Sequence, residues 1–182
     1  MTAPPKTGVN WWLLGGGLGG LAALVLVLAG GFGRDPRAVP SMLEGKPAPT
    51  FVMDDLTGQR FDLAALAGKK VVLNFWSTWC LPCRQEYPLL QTAAPAWPNV
   101  QFLGVIYQDT PEKIRGHLER SPIPATYPNL IDVKGHVALD YGVAGVPETF
   151  FIDERGQIAY KHVGPLDEAT LRRMLGDPKE VR

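Results

Sequence analysis

Apolar positions along this chain fall into three regimes. From Trp11 to Phe32 the sequence reads WWLLGGGLGGLAALVLVLAGGF, with neither a charge nor a polar face. At helical rise this run would extend roughly 33 Å, enough to cross a hydrocarbon core. A helix buried in a soluble domain carries a polar stripe, so the pattern predicts one transmembrane anchor over residues 11–32, behind a short tail of residues 1–10. A cleaved signal peptide is the competing expectation, but its apolar core is shorter. Residues 33–49 hold four prolines and several charges without apolar periodicity. They predict an extended linker.

From Thr50 onward the periods alternate. Phe51-Val52-Met53 and Gln59-Arg60-Phe61 flank a Gly58-containing turn, as a hairpin does. Val71 to Ser77 is almost wholly apolar, the signature of a strand buried on both faces. A helix is expected from near Cys80 to about Ala96, then a strand over Val100–Tyr107. Pro111–Arg120 predicts a helix with Thr110 as its N-cap. Phe150–Asp153 and Gln157–Val163 predict two antiparallel strands, and Asp167–Leu175 a last helix closed by Gly176. Trp97 and Pro98 read as a helix end packed on the core. Together these elements predict an α/β domain over residues 50–182, with a mixed central sheet, helices on both faces and an N-terminal β-hairpin.

Charge narrows the partners. Lys plus Arg and Asp plus Glu number 18 each, which leaves no basic footprint for nucleic acid. The chain has only two cysteines, which excludes a disulfide-stapled miniprotein. His117, His136 and His162 lack metal-ligand spacing, so neither a metal nor a cofactor is expected. All three read as solvent-facing residues.

The two cysteines form Cys80-Leu81-Pro82-Cys83, just after the apolar strand and at the start of a helix. A helix N-terminus offers unsatisfied N–H groups and the positive end of its dipole, which stabilise a thiolate. Cys80 is therefore the expected exposed nucleophile, and Cys83 the thiol that resolves the mixed disulfide. Trp79 and Pro82 would shape the rim and keep water from its inner side. Glu86, one helical turn beyond Cys83, and Glu148 are carboxylates able to raise a thiol pKa or pass a proton. The bland alternative for each is a solvated side chain.

The segment Asn74-Phe75-Trp76-Ser77-Thr78-Trp79-Cys80-Leu81-Pro82-Cys83-Arg84 resembles the active-site stretch of thioredoxin-like proteins. Pro49-x-Phe51, Leu56-x-Gly58 and Leu66-x-Gly68-Lys69 resemble the membrane-tethered, extracytoplasmic branch. Gly145-Val146-Pro147-Glu148-Thr149-Phe150, followed by Ile152-Asp153-x-x-Gly156, is similar to the thiol:disulfide interchange proteins of cytochrome c maturation (DsbE/CcmG type). The resemblance spans about Pro47 to Leu175. It implies a three-layer α/β/α thioredoxin-like fold and a cis Pro147 facing the cysteines, with the Val146 backbone free to pair with a client. It also implies apocytochrome c or other protein thiols as clients, a membrane electron donor, and a monomer. The location implied is the cytoplasmic (inner) membrane, single-pass, with the catalytic domain on the periplasmic side. Where cytoplasmic thioredoxin has a buried acid, this chain has Asn74, which cannot accept the Cys83 proton; Glu86, Glu148 or water would have to.

The leading expectation is a reductant of apocytochrome c cysteines. Alternatives are a general extracytoplasmic thiol:disulfide oxidase or isomerase, a peroxiredoxin-like peroxidase, and a non-catalytic haem or metal chaperone. Leu81 and Pro82 place no charge or histidine between the cysteines, which favours the reducing side. No Met-rich or His-rich tract supports a chaperone.

Overall fold

The structure is a computed structural model and describes residues 11–31, 42–132 and 134–178. The chain divides into two compact units, Met1–Val39 and Pro40–Arg182. In the first, helix α1 runs Trp11–Gly31, and each of its described side chains is exposed. Among the described residues no helix is long and apolar enough to cross a membrane.

The second unit is built on a mixed sheet of order β5-β4-β3-β6-β7. Central strand β3 (Lys70–Trp76) pairs in parallel with β4 (Val100–Ile106), which pairs in parallel with β5 (Asn129–Ile131). On its other side β3 pairs antiparallel with β6 (Glu148–Ile152), and β6 with β7 (Ile158–Val163). Every residue of β3 after Lys70 is buried, because helices or loops cover both faces. A small hairpin of β1 (Val52–Asp54) and β2 (Arg60–Asp62) precedes this sheet, followed by a 3-10 turn at Ala64–Leu66.

The pleat sorts β3 into two cores. Val71, Leu73 and Phe75 join Phe150, Ile152 and Tyr141 beneath the hairpin and helix α4 (His136–Asp140). On the opposite face, Val72 and Phe151 of β6 join Leu90 of helix α2 (Leu81–Ala96), Trp97 at its C-cap, and Leu171 of helix α5 (Glu168–Leu175). Helix α3 (Pro111–Arg120) adds Ile114 against Trp76 and Ile106. Helix α2 continues through Pro88 and Pro95, neither of which can donate an N–H. Its buried Tyr87, Leu90 and Ala93 supply packing that local propensity does not.

The structure differs from expectation at two places. Residues 45–48 are not free linker: Gly45 N donates to the Ile158 carbonyl at 2.8 Å, and Ile158 N to the Lys46 carbonyl at 2.9 Å. Backbone hydrogen bonding to the start of β7 therefore carries the domain back before Thr50, and Leu43 is half-buried against the core. Strand β5 and helix α4 were not expected; at 3 and 5 residues they are too short to show a period. Residues 33–41 of the expected linker and the tail of residues 1–10 lie outside the described residues.

Candidate active site

The segment joining β3 to α2 and the first turn of α2 carry the cysteines, because the central strand ends at Trp76 and helix α2 begins at Leu81, with only four residues between. Cys80 is the N-cap of α2, in extended conformation, and its Sγ accepts from Cys83 N at 3.1 Å. Pro82 lies in the first turn, where an absent N–H costs nothing. The sulfurs form a disulfide of 2.06 Å, with the Cα atoms 5.3 Å apart. In the reduced protein the same cap position would set the Cys80 sulfur against an unsatisfied helix N–H, which favours its thiolate.

Cys80 was expected to be exposed, yet it is 4% accessible in the disulfide, and Cys83 is 2% accessible. The reason is the loop before β6. The Val146–Pro147 peptide is cis, and the Val146 carbonyl lies 3.5 Å from Cys80 Sγ. Val146 and Trp76 pack on the disulfide. Around it the rim is open: Trp79 and Leu81 are each 57% exposed, and Pro82 is exposed too.

Two residues that sequence reasoning missed brace this rim. Asp109 Oδ2 accepts from Thr78 N at 2.8 Å and from Thr78 Oγ1 at 2.6 Å. Partial burial pushes its pKa up, but those bonds outweigh it and hold the carboxyl below the usual range. The Gln108 carbonyl accepts from Trp79 Nε1 at 3.2 Å, and Gln108 itself adopts a positive φ of 46°. An Asp just before the Thr110-Pro111 helix start was the available signal, but beside a helix start it does not by itself point to the site.

The two acidic candidates part company. Asn74 Nδ2 donates to Glu86 Oε1 and to Thr149 Oγ1, each at 2.9 Å, and Leu166 N donates to Glu86 Oε2 at 2.6 Å. Glu86 is thus a buried carboxylate on the α2 face, not a solvated one, and no cation pairs with it among the described residues. Burial pushes its pKa up to about 7, against these two hydrogen bonds. Glu148 is the register partner of Phe75, one residue from the Asn74–Thr149 pair. The pleat therefore turns Glu148 to the sheet face opposite Glu86. There its Oε2 meets Lys161 Nζ at 2.7 Å, while its Oε1 accepts from Ala144 N at 3.3 Å.

His117 is another correction: it is half-buried, its ring 6.0 Å from both Trp76 and Tyr87, where desolvation and then Arg84 and Arg120 lower its pKa. His162 is also half-buried, with Nε2 3.2 Å from the Pro165 carbonyl, whereas His136 is exposed. Among the described residues no group of three or more His, Cys, Asp or Glu could hold a metal ion.

This geometry has counterparts among known proteins. The AhpC/TSA family model matches residues 45–161. The thiol:disulfide interchange protein HelX of Rhodobacter capsulatus is 36% identical, over 85% of this chain and 91% of its own length. The thiol:disulfide interchange protein DsbE of Allochromatium vinosum is 38% identical, over 82% of this chain and 83% of its own. Among solved structures, a protein described as a DsbE-type thiol:disulfide interchange protein of Chlorobium tepidum superposes with a TM-score of 0.63 at 31% identity. That match covers 72% of this chain and 95% of the other.

Proposed function

The chain belongs to the AhpC/TSA family, in its DsbE/HelX group of thioredoxin-like thiol:disulfide oxidoreductases, and on that premise we propose that it reduces apocytochrome c disulfides before haem attachment. The observation that carries the reading is Cys80 as a helix N-cap, bonded to Cys83 under the cis-Pro147 loop.

The Cys80 thiolate attacks one sulfur of a client disulfide, forming a mixed disulfide and releasing the other sulfur as a thiolate. The Cys83 thiol then loses its proton, attacks the Cys80 sulfur, closes the Cys80–Cys83 disulfide and releases the second client thiolate. Two electrons pass to the client, whose two sulfurs take up protons, and a membrane dithiol donor must return two electrons to the enzyme. Glu86, buried three residues after Cys83 and poised near pH 7, is the base for the Cys83 proton, with Asn74 orienting it. Val146 and cis-Pro147 offer a backbone edge to an extended client, while Trp79 and Pro82 form the rim over which it lies.

The uncharged run Trp11–Phe32 is the sequence feature that supports an anchor in the cytoplasmic membrane, although among the described residues no helix is long and apolar enough to cross one. The catalytic domain would then face the periplasm as a monomer. The test is a trap: full-length Cys83→Ala cannot resolve, so clients remain bound to Cys80. Recovery of c-type apocytochromes is the expected result. A population of unrelated secreted proteins would overturn the client reading in favour of a general oxidase or isomerase.

A further inference from the structure

We propose that Lys161 is a positioning residue for thiol–disulfide exchange: with Glu148 it holds the 142–147 loop, and so the client-docking edge at Val146, against the Cys80 sulfur. The proposal rests on the exchange chemistry above and deepens it.

Lys161 stands on β7, the edge strand, opposite Phe150 in register, and its side chain is only 12% exposed. An ammonium so covered must be well partnered, because desolvating it is costly. Two of its contacts tie it to one loop. Nζ meets Glu148 Oε2 at 2.7 Å and donates to the Gly142 carbonyl at 3.2 Å, while sitting 5.1 Å over the Phe150 ring. Glu148 Oε1 accepts from Ala144 N at 3.3 Å. The pair therefore grips the loop at Gly142 and Ala144, upstream of Val146, and Glu148 holds it again by the covalent link to Pro147.

The loop has further anchors. Val143 N donates to the Ala138 carbonyl at 2.9 Å, and Gly164 N to the Pro147 carbonyl at 2.9 Å. Lys161 itself is fixed by its backbone N–H, which donates to Glu44 Oε1 at 2.9 Å. At the end of this chain of contacts, the Val146 carbonyl stands 3.5 Å from Cys80 Sγ. Neither Lys161 nor Glu148 touches the sulfurs. They act through the placement of the loop, and this gives Glu148 a role different from tuning the thiols directly.

An extended client must align its backbone with Val146, whereas a small disulfide need only reach the sulfur. Misplacing the loop should therefore slow the first reaction selectively. Reduced full-length Lys161→Met would be compared with wild type in stopped-flow reactions with two probes. One is an oxidised synthetic peptide containing Cys-x-x-Cys-His; the other is hydroxyethyl disulfide. The expected result is a roughly tenfold fall in the second-order rate constant for the peptide, with that for the small disulfide unchanged. A merely structural role would lower the melting temperature and leave the ratio of the two constants alone, and that result overturns the proposal. Because Lys161→Met leaves a buried carboxylate unpaired, the double variant Glu148→Gln/Lys161→Met, which buries no charge there, is measured in parallel and should show the same selective loss. A wild-type ratio in the double variant overturns the proposal too. If wild type itself reduces neither probe, the exchange reading fails, and that outcome is distinct from wild-type turnover with an indifferent Lys161.

Discussion

Replacing Glu86 by Gln should stabilise the protein at alkaline pH and not at acid pH. In the folded protein burial pushes this carboxyl up to about 7, from an ordinary 4.5. Between those values the folded state keeps a proton that the unfolded chain has lost, so stability falls as pH rises from 4.5 through 7. At about 1.4 kcal/mol per pH unit, the full cost above pH 7 is about 3 kcal/mol. At pH 5 it is under about 1 kcal/mol. The amide of Glu86→Gln cannot ionise and escapes the cost. It can also keep the network: its carbonyl accepts from Leu166 N, and a flipped Asn74 accepts from the new NH2 and from Thr149 Oγ1. Urea denaturation of the oxidised protein at pH 5 and pH 8, wild type against Glu86→Gln, measures the difference. The variant should gain about 3 kcal/mol at pH 8 and little at pH 5. Equal effects at both pH values would refute an ionising, buried Glu86. In exchange kinetics the same variant should lose the inflection near pH 7 that a base at Glu86 gives to the resolving step.

Other outcomes follow from the rim and its support. A Cβ at Gly104 would lie 2.5 Å from Asn129 Oδ1 and 2.9 Å from Trp76 Nε1, forcing apart their 2.8 Å hydrogen bond. Gly104→Ala should therefore cost about 2 kcal/mol and shift the fluorescence of Trp76, which packs on the disulfide; an unchanged Tm would refute this. Asp109→Ala removes the acceptor of both Thr78 bonds and should cost about 1–2 kcal/mol in thermal unfolding, since the site is only half-buried. Hydrogen exchange at Thr78 N–H should quicken in this variant, and full protection there would show that the brace is dispensable.

Much of this molecule is set locally. A nearly apolar run from Val71 to Trp76, with Cys-x-x-Cys beginning at Cys80 just beyond it, makes a strand and a helix cap, because burial dictates the first and orphan N–H groups the second. Thr110-Pro111 and Asp167 likewise start helices by chemistry confined to a few residues. The reactive pair was legible for that reason, and so was the alternation of strand and helix. What the sequence could not reveal is which side chains meet across the sheet. Both Glu86 and Glu148 closely follow a site residue in the chain, Cys83 and Pro147 respectively; α2 packs Glu86 against Asn74, while the register of β6 on β3 turns Glu148 to the other face and to Lys161. The coverage of Cys80 by Val146, 66 residues away, and the bracing of Thr78 by Asp109 are likewise long-range contacts. Local periodicity fixes the elements, while the two-residue repeat of the pleat, read across strands far apart in sequence, decides the chemistry of each buried charge.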